Sequence, residues 1–229
     1  MAQYIVSIII PVLNEATIIN RTLGELKQYP DVEIIVVDGG SQDNTVAIAS
    51  QKSKVITLAG KGRARQMNAG ANIAHSDILL FLHADTQLPP NFVELIIRTL
   101  KLPNTIAGAF ELAINGSDFS LRLIEILVKV RSHLLSLPYG DQALFISKPA
   151  FVTLGGFADL PIMEDFEFIK RVKQQGKIAI APAAVITSGR RWQKLGVWQT
   201  TLINQLIIAG YHLGISPTKL GNFYRSRGK

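Results

Sequence analysis

Asp85 closes the stretch "DILLFLHAD" (residues 77–85), in which an apolar run ends in His83, one small alanine and a carboxylate. An aspartate just beyond a buried strand, at a site that must hold an anion, is most useful with a divalent cation. Carboxylate oxygen suits Mg²⁺ and Mn²⁺, and these ions bridge to phosphate oxygens. Gln87 is close enough in sequence to add an amide oxygen. His83 falls on the same side of the strand as Asp85 as long as the chain stays extended. The competing reading is a loop cap ahead of Pro89 and Pro90. A second candidate is "SGRRWQ", where Arg190 and Arg191 can clamp a diphosphate and Trp192 can pack against a sugar face. Its plainer reading is a basic helix start with an anchoring indole. Glu164 and Asp165 are adjacent acids whose residue types alone favour a plain helix start, because acids suit a helix N-terminus.

These residues must be positioned by something, and the first ninety residues alternate strand and helix signals. "YIVSIIIPV" (4–12) is a continuous apolar, β-branched run, as expected of a strand covered on both faces. "VEIIVVD" (32–38) is a second such strand, "KVITLA" (54–59) a third and "DILLFLHAD" a fourth. Helical signals lie between them at 15–29, 41–52 and 62–74. This alternation predicts parallel βαβ units, with ligands beyond the carboxyl ends of the strands. Each strand end carries polar or glycine residues: Asn14 and Glu15, then Asp38, Gly39 and Gly40, then Gly60, Lys61 and Gly62, then His83 and Asp85. Four polar edges at one rim make a site.

The second half is less regular. Residues 104–115 suggest one or two strands, 117–137 a helix, 142–147 a short strand, 163–176 a helix, 177–182 a strand and 197–214 a final helix. No linker or repeat separates the halves, so a single domain over 1–229 is expected. Within it, 1–103 and 104–229 form two halves, the second carrying the C-terminal helix.

The chain has 229 residues, no cysteine and a formal net charge of +7. Absence of cysteine excludes disulfides, thiolate metal sites and a cysteine nucleophile, and fits a reducing compartment. A basic balance suits an anionic partner: nucleic acid, an acidic membrane surface or a phosphorylated small molecule. No nucleic-acid-binding module is recognised, and no nucleic-acid partner is expected. No apolar stretch reaches the roughly 18 residues of a spanning helix, and the N-terminus lacks the pattern of a signal peptide. A cytoplasmic location is therefore expected, with peripheral contact at the membrane left open. The apolar flank of 119–137 and the helix 197–213 can be core, a homodimer face or a lipid-facing groove, with Lys219, Arg225, Arg227 and Lys229 nearby.

Taken in order, the motifs resemble the nucleotide-sugar-dependent glycosyltransferases of family 2. "SIIIPVLNE" is similar to their first strand and turn, and "VVDGGSQDNT" to their "VDDGSxDxT". "FLHADTQLPP" resembles their Asp-x-Asp strand end, especially the "DADLQHPP" of dolichyl- and polyprenyl-phosphate mannose synthases. "GDQALFISKPAFVTLGGF" followed by "MEDFEFIKRVKQQG" is similar to their acceptor-side segment. The resemblance runs from about residue 7 to 176. It implies a GT-A fold, a Rossmann-like, mostly parallel mixed sheet flanked by helices, with 1–103 as the nucleotide-sugar-binding half and 104–229 as the acceptor-binding half.

It further implies that Asp38 hydrogen-bonds the nucleotide base, with the Pro11 turn along the nucleoside and Asn14, Glu15 and Gly40 beside it. "GKGRARQMNAGA" matches the segment closing over the nucleotide: Arg63 and Arg65 would meet phosphate, while Asn68 and Gly70 would permit close backbone approach. Asp85 would hold Mn²⁺ or Mg²⁺, helped by Gln87 and His83. Asp165 matches the catalytic base, with Glu164 orienting or binding acceptor. The implied function is an inverting, metal-dependent transfer from a nucleotide-diphosphate sugar to an unidentified hydroxyl acceptor.

Three features depart from the family pattern. His83 stands where the first acid of Asp-x-Asp would be, Gly39 replaces the second Asp of "VDDGS", and Ser188 stands where processive relatives carry Gln. Two other functions compete. A non-catalytic nucleotide-binding or scaffold protein of the same fold would bind diphosphate without turnover. A sugar nucleotidyltransferase needs a Gly-x-Gly-x-Arg loop after its first strand, where this chain has "PVLNEATI".

Overall fold

The structure is a computed structural model that describes residues 4–57 and 62–227. Gly60, Lys61 and Lys229, named above, lie outside the described residues. Strand β1 (Val6–Val12) is buried at all but one position because helices cover both of its faces. Along it, Ile8 and Ile10 point to one layer, where α1 (Ala16–Leu26) brings Ile19 and Leu23. Ile9 points to the opposite layer, with β2 (Val32–Asp38) supplying Ile35 and Val37. This alternation is the two-residue period of a strand, and burial on both sides explains the unbroken apolar run.

After α2 (Thr45–Ala49) and β3 (Lys54–Thr57), α3 (Arg63–Ile73) packs Met67 and Ala71 on the second layer. A Cβ on Gly70 would lie 2.5 Å from Ile9, so the glycine is what lets α3 sit this close to β1. Strand β4 (Ile78–Phe81) then returns on the other side of β1, and both β2 and β4 run parallel to it. The chain therefore reverses its winding between β1 and β4, the switch point at which open α/β sheets bind ligands.

The sheet continues through both halves of the chain. β5 (Thr86–Gln87) and α4 (Phe92–Leu100) precede β6 (Thr105–Asn115), and α5 (Phe119–Leu135) leads to β7 (Phe145–Ser147) through a 3-10 turn, Gly140–Gln142. There follow α6 (Lys148–Thr153), α7 (Glu164–Gln175), β8 (Lys177–Ser188), α8 (Arg190–Leu195), α9 (Val197–His212) and α10 (Pro217–Arg227). The strand order is β3-β2-β1-β4-β7-β6-β8-β5. β7 is antiparallel to β4 and β6, β8 runs parallel to β6, and β5 is antiparallel to β8, so the sheet is mixed.

Several expectations change. β4 stops at Phe81, and His83 to Asp85 form a turn in which the Thr86 N–H donates to the His83 carbonyl. The Thr22 hydroxyl holds the Ala84 carbonyl at 2.5 Å, fixing that turn against α1. β8 does not end at Pro182: Phe110 pairs with Ala181 and Glu111 with Ala184, so a bulge takes up the proline and the strand resumes. Helices α4, α6 and α10 had no counterpart among the sequence signals, whereas α8 begins where the plainer reading of "SGRRWQ" put a helix start. Core packing accounts for only one side of α5 and α9, since Phe119, Leu134 and Leu213 are 83%, 77% and 82% exposed. Among the described residues, no helix is long and apolar enough to cross a membrane.

Candidate active site

The carboxyl ends of β1 and β4 meet the N-terminus of α7 in one cavity. Pro11, His83, Arg63, Gly140, Glu164 and Asp165 line it. A wider cavity of about 420 Å³ shares Arg63, His83, Glu164 and Asp165 and extends between α5, α9 and α10. Asp165 is held by two backbone donors. Its Oδ2 accepts from the Gly140 N–H at 2.7 Å and its Oδ1 from the Phe166 N–H at 2.7 Å. The side chain is thus oriented by the 3-10 turn as well as by its own helix.

That turn is itself pinned. Gln142, fully buried, donates to the Phe110 carbonyl at 2.8 Å, and its Oε1 accepts from Ser132 at 2.9 Å and Arg131 at 3.1 Å. The Arg131 guanidinium also lies 3.6 Å over the Tyr139 ring. Asp141 has a buried Oδ1 without a hydrogen-bond partner; burial raises its pKa, as does the negative charge of Asp165, while Arg131 opposes this. None of Arg131, Gly140, Asp141 and Gln142 was among the candidate site residues. The signal for the last three was the polar "GDQ" set between apolar stretches, and it acquires meaning only when α5 brings Arg131 and Ser132 to it.

Glu164 is buried beside Asp165, with its Oε1 3.8 Å from the Arg63 guanidinium. Burial raises its pKa, the Asp165 charge raises it further, and Arg63 only partly offsets both. His83 is pushed the other way. Burial and the Arg63 cation take its imidazole down to about 3, so it stands neutral in the cavity wall.

The nucleotide-side candidates divide into two groups. Asp38 is fully buried and takes the Gly40 and Ser41 N–H groups on Oδ2 at 2.9 and 3.0 Å, leaving Oδ1 buried without a partner. An orphaned carboxylate oxygen at a strand end suits an incoming N–H donor. Asn14 adopts φ +56°, accepts from the Gln42 N–H and thereby ties the β1 turn to the loop after β2. Gln66 explains Gly39: its amide donates to the Val12 and Val37 carbonyls at 2.8 and 2.7 Å, and a Cβ at position 39 would press on it at 3.1 Å.

Other candidates are engaged elsewhere. Arg65, two residues from Arg63 and so on another side of α3, pairs with Asp159 at 2.6 Å and not with the cavity. Asn68 spends its amide on both backbone groups of Phe157. Gln87 donates to Glu25 on α1 at 2.9 Å, turned aside by the pairing of β5 with β8. It does not join Asp85 as a metal ligand in this arrangement.

Asp85 instead meets Glu15. Their carboxylates approach the same atom, Nη2 of Arg190, at 3.0 and 3.4 Å. Two carboxylates converging on one cation fit a hard divalent ion of the kind that keeps water and binds substrate phosphates. Among the described residues no group of three or more His, Asp and Glu side chains is placed to hold a metal, so the protein alone supplies only part of a shell. Arg191 stacks on Tyr224, 3.9 Å from its ring centroid, and donates to its hydroxyl. Its Nε and Nη2 are buried without partners, and burial together with the Arg63 cation lowers its pKa. Trp192 lines the wider cavity, with its indole N–H also unpartnered.

A largely parallel, doubly covered sheet whose strand ends open on such a cavity defines the Rossmann-like class of α/β proteins. The description of Glycosyl transferase family 2 matches residues 7–158, and the chain belongs to that family. It is 28% identical over 123 residues to an uncharacterized glycosyltransferase of Nostoc sp., covering 49% of this chain and 38% of that protein. It is 28% identical over 116 residues to the undecaprenyl-phosphate 4-deoxy-4-formamido-L-arabinose transferase of Photorhabdus laumondii, covering 45% of this chain and 36% of the relative. The chain thus spans well under half the length of these curated relatives.

Among solved structures it resembles the mannosyltransferase PcManGT of Pyrobaculum calidifontis, in complex with GDP-Man and Mn²⁺. That match has a TM-score of 0.66 at 20% identity and covers 80% of this chain and 56% of the other. S. aureus TarS with UDP-GlcNAc gives 0.65 at 16% identity, with 80% and 58% covered. These likenesses establish the GT-A fold.

Proposed function

We propose that the protein is an inverting glycosyltransferase that moves a sugar from a nucleoside-diphosphate sugar to a hydroxyl acceptor. The observation that carries this reading is the meeting of the β1 and β4 ends with the Asp165 carboxylate in one cavity. The free Oδ1 of Asp38 receives a base N–H, and the Pro11 turn lies along the nucleoside. Arg63, Arg190 and Arg191 face the diphosphate, and the neutral His83 offers a hydrogen bond to a ribose hydroxyl or phosphate.

Asp85 and Glu15 would hold Mn²⁺ or Mg²⁺, which offsets charge developing on the leaving diphosphate. Asp165 takes the acceptor proton as the hydroxyl oxygen bonds to the anomeric carbon. The anomeric C–O bond to the diphosphate breaks on the opposite face, and its electron pair leaves with the nucleoside diphosphate. Two backbone N–H bonds fix the direction of the Asp165 carboxylate for this task. Glu164 is the second candidate base, favoured by its upward-shifted pKa; on the first reading it positions the acceptor with Arg63.

The test is thermal-shift screening of nucleotide sugars with and without Mn²⁺, followed by measurement of released nucleoside diphosphate with the best binder. Metal-strengthened binding with turnover supports the proposal. Binding of diphosphate without any hydrolysis or transfer would favour a non-catalytic protein of the same fold.

A further inference from the structure

α5 and α9 both expose apolar stripes that no part of the described fold covers. On α5 the stripe runs through Phe119, Leu123, Ile126, Leu127, Val130 and Leu134, all exposed and recurring at helical spacing. On α9 it runs through Trp198, Leu202 and Leu206 and continues to Leu213 just past the helix end. The two helices stand on either side of the 420 Å³ cavity, α5 turning Ile124 and Val128 into it and α9 turning Thr201 and Ile208. In each helix the exposed stripe lies roughly a third of a turn round from the cavity face at 3.6 residues per turn. The stripes therefore flank the cavity and do not fill it.

We infer that these two stripes dock the protein on an anionic lipid bilayer, with the cavity between them. Charge chooses the occupant. Every charged side chain after Glu167 is basic, so α8, α9 and α10 carry no acid at all. Lys194 of α8 and Lys219, Arg225 and Arg227 of α10 are exposed, and α10 packs its Leu220 against the buried side of α9, where Ile203 and Ile207 lie. On α5, Arg122, Lys129 and His133 edge the stripe but pair with Glu125 and Glu111, so the unpaired basic charge comes from α8 and α10. Exposed apolar stripes, one with a tryptophan in it, next to helices whose charges are all basic have the composition of an interfacial surface drawn to anionic headgroups. A homodimer would bring like-charged α8–α10 surfaces together. The inference does not depend on sugar transfer, and its readout is lipid partition alone.

The test is co-sedimentation with phosphatidylcholine vesicles, with and without about 30% phosphatidylglycerol, combined with Trp198 fluorescence. The protein should sediment with the anionic vesicles at low salt, release partly at high salt, and show blue-shifted emission that Trp198→Phe removes. The combined variant Phe119→Ser, Leu134→Ser and Leu213→Ser changes only highly exposed positions, so it should fold, and its partition should fall about tenfold or more. Arg225→Gln with Arg227→Gln should weaken binding to anionic vesicles only. Protein that stays in the supernatant at low salt, or a triple variant that sediments like the parent, overturns the inference. A dimer in analytical ultracentrifugation that the triple variant dissociates, without lipid binding, would reassign the stripes to a second copy.

Discussion

Asp165→Asn keeps the shape of the side chain and removes its basicity. Both Asp165 oxygens accept backbone N–H groups, from Gly140 and Phe166, each at 2.7 Å. Asparagine has one oxygen, so its NH₂ must face one of these donors. One charge-assisted bond is lost and an N–H is left without an acceptor, which costs about 1–3 kcal/mol of stability. The catalytic effect is separate. Loss of a positioned general base lowers the rate roughly 10²–10⁴-fold, while donor binding, which the proposed function assigns to Asp38 and the arginines, should stay within about twofold, a margin of roughly 0.4 kcal/mol. Urea denaturation gives the first number and single-turnover assay with the best nucleotide sugar the second. A folded Asp165→Asn variant that keeps a tenth or more of parental turnover would refute the assignment and pass the role to Glu164.

Gly140→Ala should lower turnover about tenfold by displacing the carboxylate a few tenths of an ångström, because the new Cβ would stand 3.0 Å from Asp165 Oδ2; unchanged turnover would show that the turn does not position the base. Glu164→Gln should gain stability relative to the parent as pH rises. The folded carboxyl titrates above its unfolded value of 4.5 through burial and Asp165, so the parent's stability is fully present below that value and falls as pH rises through the raised one. Melting temperatures of the two proteins at pH 4 and pH 8 check this, and an equal difference at both would contradict it. Arg190→Gln should tighten Mn²⁺ binding in the absence of donor by roughly two- to fivefold, as expected for removal of a half-exposed ion pair. Isothermal titration with Mn²⁺ alone reads this, and weaker binding would mean that Asp85 and Glu15 do not receive the ion.

The first half of the chain was legible because its physics is local. A strand covered on both faces must be apolar throughout, so β1 and β2 announce themselves, and their polar ends mark the rim by contrast. Gly70 likewise carried a readable meaning, close approach, although the partner is Ile9 and not a ligand. The second half was harder because its share of the cavity is assembled by tertiary contact. Nothing near Asp165 in sequence indicates that Gly140 will hold it, and nothing near Gly140 indicates that Ser132 and Arg131 will fix the turn through Gln142. Arg63 and Arg65 show the limit from the other side. Both are basic and two residues apart, yet helical geometry sends one to Glu164 and the other to Asp159. Gln87 fails for a similar reason, since the two-residue strand β5 fixes its side chain toward α1.

His83 is the departure from the family pattern with the widest consequence, and its surroundings give a physical account of it. A carboxylate at that position would sit beside Arg63, already drawn to Glu164. A neutral imidazole leaves that pairing undisturbed and still offers one donor and one acceptor. The carboxylate pairing that an Asp-x-Asp strand end would supply from one segment is supplied here from two. Asp85 comes from the turn after β4 and Glu15 from the residue before α1, and both reach a single guanidinium nitrogen. Burial and the neighbouring Asp85 charge push Glu15 upward and Arg190 opposes them, so the pair holds its charge best with a cation between the two groups. Arg190 fills that position when the carboxylates are otherwise unengaged, and an incoming divalent ion with its diphosphate would have to displace it toward the phosphate charge. Replacing Glu15 with Gln should therefore weaken Mn²⁺ binding, as should replacing Asp85 with Ala, and the Glu15 effect is one that His83 as the sole second ligand would not produce.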